Sequence, residues 1–164
     1  MRITIKPELY RLSARNPLHW LAVGFGSGLS PKAPGTFGSL AAIPFYYLLL
    51  QWFSLPAYLV ILVASFTIGI WACRSAAKAI GEHDHGAIVW DEFVGMWIAC
   101  IALPSGIVWM LLAFVAFRFF DILKPWPIRW FDENLSGGLG IMTDDVVAGI
   151  AALGVVQLVY WLML

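Results

Sequence analysis

Two stretches of this chain run uncharged for the length of a bilayer crossing. Leu55 to Cys73 is 19 residues long, and Val146 to Leu164 is another 19, interrupted only by Gln157. A helix rises about 1.5 Å per residue, so roughly 20 apolar residues cross a hydrocarbon core. Phe37 to Phe53 adds 17 uncharged residues, with Pro44 kinking or starting the helix. Phe93 to Phe117 adds 25, broken at Leu103-Pro104-Ser105-Gly106. That break is a turn signal, so the run reads as a hairpin of two helices, the first needing residues from about Gly86 to reach across. Hydrophobic residues make up 61% of the 164 and charged ones 12%, against roughly 45–50% and 25% in soluble domains. A chain this small cannot hide so much apolar surface in its own core. The pattern predicts an all-α, polytopic membrane bundle of about five spans (four to six), forming one domain over residues 1–164.

The charges give the orientation. Five spans with the N-terminus inside place residues 1–36, 74–92 and 118–145 on one side, and those segments hold all ten Lys and Arg residues. The opposite turns, near Ser54 and Ser105, hold none, as the positive-inside rule requires. Residues 1–15 then form a polar cytoplasmic N-terminus, unlike a secretory signal. Trp71, Trp90, Trp126 and Trp130 fall near the inner interface, and Trp52, Trp109 and Trp161 near the outer. All ten acids and His19, His83 and His85 share the inner face. A transporter would place ionisable groups at midplane and show internal repeats; neither is visible. Cys73 and Cys100 lie in apolar runs without metal-ligand spacing and read as small buried hydrophobes. No basic patch suggests nucleic acid.

Four polar clusters carry the candidate chemistry. Gly24 to Ser39 is rich in Gly and Ser and contains Lys32; its N–H groups could approach an anion, or the glycines could simply break the chain. It lacks the spacing of a P-loop or a dinucleotide fingerprint. Asn16-Pro17 before it reads as a helix cap, predicting a short interfacial helix within residues 17–29. The second cluster is His83-Asp84-His85-Gly86 followed by Trp90-Asp91-Glu92. Asp91 and Glu92 project about 100° apart on a helix, one toward the bundle and one toward the interface. Two carboxylates at the end of an apolar span need a cation or a proton, and hard oxygen ligands suit Mg²⁺. His83 and Asp84 are further potential ligands. The third cluster places Arg118, Asp121 and Lys124 on one helix face, ended by Pro125 and Pro127, with Arg129 beyond. Arg and Lys there can hold phosphate oxygens. The fourth, Gly137 to Asp145, brings Asp144 and Asp145 directly before the last span as a second metal arm, with Thr143 or Asp144 able to cap the helix. Cysteine phosphatase, haloacid-dehalogenase, phosphohistidine lipid phosphatase and CDP-alcohol phosphotransferase motifs are absent, as is a GxSxG elbow. Carboxylate and Mg²⁺ chemistry on an anionic group at the inner interface is what remains.

The segments GFGSGLSPKAPGTFGSLAAIP, HDHGAIVWDEFVGMW, FRFFDILKPWPIRWFD and GGLGIMTDDVVAGIAA resemble, in order, those of the bacterial phosphatidylglycerophosphatase A family. The resemblance covers Asn16 to Ala152. It implies a Mg²⁺-dependent, multi-pass enzyme of the bacterial inner membrane, acting from the cytoplasmic side. Such an enzyme hydrolyses the terminal phosphomonoester of phosphatidylglycerophosphate to phosphatidylglycerol and phosphate. The acids Asp91, Glu92, Asp144 and Asp145, with His83 and Asp84, would then bind metal or carry catalysis. Lys32, Arg118, Asp121, Lys124 and Arg129 would bind the phospholipid head group. Alternatives are a phosphatase of another lipid phosphate, such as phosphatidic acid, or a non-enzymatic membrane transporter or scaffold.

Overall fold

The computed structural model describes residues 7–48 and 50–164; Arg2 and Lys6 of the expected N-terminal charge set lie outside the described residues. Among those described there are seven α-helices and no strands. These are α1 (Pro17–Ala22), α2 (Pro34–Leu48), α3 (Leu55–Ile80), α4 (Trp90–Ala99), α5 (Ile107–Leu123), α6 (Ile128–Asn134) and α7 (Gly137–Leu162).

Local chemistry sets the boundaries. Asn16 caps α1 as expected, its side chain accepting from the Leu18 N–H at 3.0 Å, with Pro17 in the first turn. Helix α3 starts after Ser54 with a proline in its first turn and stops at left-handed Gly81, whose N–H donates to the Ala77 carbonyl at 2.8 Å. It therefore extends seven residues past Cys73. Lys124 ends α5 in a left-handed conformation just before Pro125. Helix α7 begins at Gly137, nine residues before the apolar run. Neither Thr143 nor Asp144 caps it: both sit inside the helix, and the Thr143 hydroxyl donates back to the Leu139 carbonyl at 2.6 Å. Gly138 and Gly140 lie inside the helix and Gly137 opens it with a left-handed φ of 69°, so the fourth cluster forms the first turns of a helix and not a loop.

Helices α3 and α7, each 26 residues, are long and apolar enough to cross a membrane. The expected hairpin is present, but its first arm is short. Residues 86–89 are not helical; the Val89 N–H donates to the Ala22 carbonyl at 2.8 Å, fastening this segment to α1. Helix α4 thus has ten residues, about 15 Å of rise. Gln157 on α7 donates to the carbonyls of Ile101 and Ala102, each at 3.2 Å. A residue that reads as a polar interruption therefore satisfies backbone groups left open where α4 stops.

Cross-contacts fix the sense of each helix. Trp97 Nε1 donates to the Ala42 carbonyl at 3.0 Å, and the Tyr58 hydroxyl donates to the Trp97 carbonyl at 2.7 Å. A Cβ on Gly69 would fall 2.7 Å from Met142 Sδ. Helices α2, α4 and α7 run one way, while α3 and α5 return. Helix α4 is the hub and is almost wholly buried. Trp90 is accordingly a core residue, 6% exposed and stacked on Phe93, and not part of the aromatic belt. Trp71, Trp126, Trp130, Trp52 and Trp161 are exposed, and Trp109 is half-buried with its ring against Tyr160. Cys73 and Cys100 are buried, each against a methionine sulfur.

Candidate active site

The first turns of α2 and α4, the end of α5 and the third turn of α7 meet at one end of the bundle around a cavity of about 340 Å³. Six acids line it (Asp84, Asp91, Glu92, Asp121, Asp144 and Asp145) against two bases, Arg118 and Lys124. The meeting depends on glycine. Gly95 follows Asp91 by one turn and Gly149 follows Asp145 by one turn. A Cβ on Gly149 would collide with the Gly95 carbonyl oxygen, and one on Gly95 would fall 2.8 Å from the Asp145 carbonyl oxygen. Only bare backbone lets α4 and α7 approach closely enough to bring their acids together.

Carboxylate oxygens of Asp91, Glu92 and Asp145 lie within 4.8 Å of one another. Asp91 and Asp145 are 8% and 3% exposed, so their charges are withdrawn from water. Asp91 Oδ1, Glu92 Oε2, Asp144 Oδ1 and Asp145 Oδ2 are buried without a hydrogen-bond partner among the described residues. Orphaned, converging carboxylate oxygens are costly unless a cation joins them. An all-oxygen donor set of this kind fits a hard divalent ion, which binds carboxylates and water. Asp91 and Glu92 do not divide between bundle and interface as their angular separation suggests; the longer Glu92 side chain turns back into the same cavity.

The bases are held by the surrounding acids. Arg118 Nη1 pairs with Asp121 Oδ2 at 2.5 Å, approaches Glu92 Oε1 at 4.0 Å and donates to Ser39 Oγ at 3.3 Å. Its Nε is buried and has no partner among the described residues. Lys124 Nζ bridges Asp132 Oδ1 at 2.6 Å and Asp144 Oδ2 at 2.7 Å. Burial opposes the Lys124 charge, but these two bonds outweigh it and raise its pKa above the ordinary lysine value.

The cavity thus gathers Asp84, Asp91, Glu92, Arg118, Asp121, Lys124, Asp144 and Asp145 from three of the four sequence clusters. Three expected site residues stand elsewhere. Lys32 is exposed and does not line the cavity. Arg129 pairs with Glu133 one turn on, at 2.7 Å, on an exposed face. His83 Nε2 accepts the Gly137 N–H, which occupies it at the start of α7. The Gly-rich segment contributes differently from the anion loop considered above. Gly28 and Gly38 are close-packing positions: a Cβ on either would fall within 3 Å of Val89 side-chain atoms. Gly35, Ser39 and Asp132 support the site's bases, a role that their place in the first and third clusters does not reveal. The usable signal was Pro34 as a helix-first proline, which sets Gly35 and Ser39 one turn apart on one face.

Fold and cavity together define an all-helical protein with two membrane-length apolar helices and an acid-rich site at one end of its bundle. A family model described as phosphatidylglycerophosphatase A matches residues 20–160. The chain is 54% identical over 152 residues to phosphatidylglycerophosphatase A of Escherichia coli (strain K12), covering 91% of this chain and 87% of that protein. It is 50% identical over 163 residues to the Haemophilus influenzae protein of the same name, covering 98% and 100%. No solved structure matches. The chain belongs to the phosphatidylglycerophosphatase A family.

Proposed function

We propose that this chain hydrolyses the terminal phosphomonoester of phosphatidylglycerophosphate to phosphatidylglycerol and inorganic phosphate, as a step of phospholipid synthesis. It would act from the cytoplasmic side of the bacterial inner membrane, as a multi-pass protein with Mg²⁺ bound. The observation that carries the reading is the cavity, where orphaned carboxylate oxygens of Asp91, Glu92, Asp144 and Asp145 face Arg118 and Lys124. The names of these two relatives support it, as does the five-span topology expected from the sequence, which would put the ten basic residues on one side.

Asp91, Glu92 and Asp145 would hold the cation, with Asp144 and Asp84 beside them. The bound ion would polarise the phosphoryl group and offset the crowded carboxylate charge. Arg118, through its unpartnered Nε, and Lys124 would bind phosphate oxygens and stabilise the charge that spreads over them in a loose transition state. Water supplies the new P–O bond, the bond to the glycerol oxygen breaks, and that oxygen leaves with a proton. Asp121 and Asp144, paired to the two bases, are the carboxylates available to take up the water's proton. Only the head group need enter, since Ile122 lines the cavity and is also 65% exposed on the apolar face of α5.

The test is phosphate release by the purified protein in detergent micelles, from phosphatidylglycerophosphate and from phosphatidic acid, with Mg²⁺ or with excess chelator. Mg²⁺-dependent release favouring the first lipid, and lost in Asp91→Asn, is expected. No release by the folded protein would overturn the reading, and preference for phosphatidic acid would replace its substrate.

A further inference from the structure

Arg118 is the one arginine of the cavity, and what fixes it is not an acid alone. Ser39 on α2 is 0% exposed. Its hydroxyl donates to the Gly35 carbonyl at 2.9 Å, which leaves its lone pairs toward Arg118 Nη1 at 3.3 Å. Gly35, one turn earlier, completes the seat. A Cβ there would sit 3.3 Å from both Nη1 and Nη2 of Arg118 and would collide with Glu92 Oε1. The guanidinium therefore lies over bare backbone at Gly35, hydrogen-bonded to Ser39 and ion-paired to Asp121. Nε is buried and keeps no partner among the described residues. A serine on a helix commonly bonds the carbonyl four residues back. Here that bond has a second consequence, because it orients the oxygen as an acceptor for a buried cation.

We infer that Gly35 and Ser39 are positioning residues: they form a cradle on α2 that aims the Arg118 guanidinium at a phosphate group in the cavity. The inference rests on the assignment of Arg118 to phosphate binding, but it does not require that the phosphate belong to a particular lipid. It accounts for a Gly-x-x-x-Ser spacing that the catalytic assignment leaves unused. The cradle acts through Arg118, so its loss should appear in phosphate affinity and KM more than in kcat.

Binding of inorganic phosphate, read as the rise in unfolding temperature with phosphate concentration, tests this without turnover, on the purified full chain with Mg²⁺ present. Ser39→Ala should weaken phosphate binding about tenfold, as loss of a hydrogen bond to a charged group does. KM for lipid should rise in proportion. Arg118→Lys should weaken binding as well, and Ser39→Ala added to Arg118→Lys should change nothing further, because the group it positions is gone. Gly35→Ala should weaken phosphate binding at least as much as Ser39→Ala, because its methyl group would displace Glu92 Oε1 as well as crowd the guanidinium. If Ser39→Ala does not fold, Ser39→Cys, close in volume and a weak acceptor, serves the same comparison. Unchanged phosphate binding in the serine variant, or losses that multiply in the double variant, would overturn the cradle. A protein that binds phosphate in a Ser39-dependent way yet releases none from lipid would keep the cradle and sink the proposed function.

Discussion

Gly95 of α4 and Gly149 of α7 meet backbone to backbone, one helical turn beyond Asp91 and Asp145 respectively. Their contact sets the distance between two carboxylates that would otherwise repel. Gly149→Ala places a methyl group on the Gly95 carbonyl, and relieving it requires the helices to part. Overpacking of this kind costs about 1–3 kcal/mol. The variant should unfold at lower temperature in detergent and lose more than a tenth of its phosphate-releasing activity even where it remains folded. Parental activity in Gly149→Ala would show that the acids need not be so close.

Crowded acids make the opposite prediction for Asp145→Asn. Removing one buried negative charge from a group of unpartnered carboxylates relieves repulsion and desolvation. Without divalent cation the variant should be at least as resistant to heat as the parent. It should also lose the stabilisation that Mg²⁺ gives the parent, and its phosphate release should fall by about a hundredfold or more, as loss of an essential site group does. A variant that unfolds earlier than the parent under chelation would mean the carboxylates are not in tension.

Lys124 ties α6 to α7 through Asp132 and Asp144. With its pKa raised, it stays charged throughout the range in which the protein can be assayed, so it should contribute no alkaline limb to a pH–rate profile. Lys124→Met should raise KM about ten- to a hundredfold, the effect of removing a hydrogen bond made by a charged group. Asp132→Asn, which leaves the amine in place, should do less. Steady-state kinetics on the two variants decides between a phosphate-binding lysine and a purely structural tie.

His19 makes stability pH-dependent away from the site. Its Nδ1 accepts the Ser13 N–H at 2.9 Å and its Nε2 faces Ser75 Oγ at 3.2 Å, an arrangement for the neutral ring. Burial lowers its pKa below the ordinary 6.5. A lowered pKa means that the unfolded chain takes up a proton first. The stabilisation is thus complete above about pH 6.5 and is lost as pH falls through the folded value. Unfolding temperature followed from pH 8 to pH 5 should show this acid limb in the parent and a shallower one in His19→Gln. Parallel curves would remove His19 from the account.

The uncharged runs were enough to place five of the helices, because apolar length is a property of consecutive residues. The break at Leu103 to Gly106 and the cap at Asn16 were legible for the same reason. The start of α7 was not: Gly137, Gly138 and Gly140 look like a loop until the packing partner is known. A Cβ on Gly138 would strike the Ile70 carbonyl of α3 and one on Gly140 the Leu135 carbonyl, while Gly137 has open space around it and a left-handed φ of 69°, so each glycine answers to a different constraint that sequence does not display. The same limit explains the site. Asp91, Glu92, Asp144 and Asp145 announce themselves as acids beside apolar spans, whereas Ser39 acquires its partner 79 positions away. Lys32, Arg129 and His83 had suitable chemistry and neighbourhood in sequence, yet exposure, Glu133 and the Gly137 N–H claim them.

The amide of Gln157 has a mechanical consequence. Helix α4 is fastened to α7 by the glycine contact at its middle and by this amide just past its end. A rod joined to its neighbour at a single point can swivel or slip by a turn; joined at two separated points, it is a strut. The acids at the head of α4 therefore hold their address relative to Asp144 and Asp145 through a joint on the far side of the bundle, at a glutamine with no part in the chemistry.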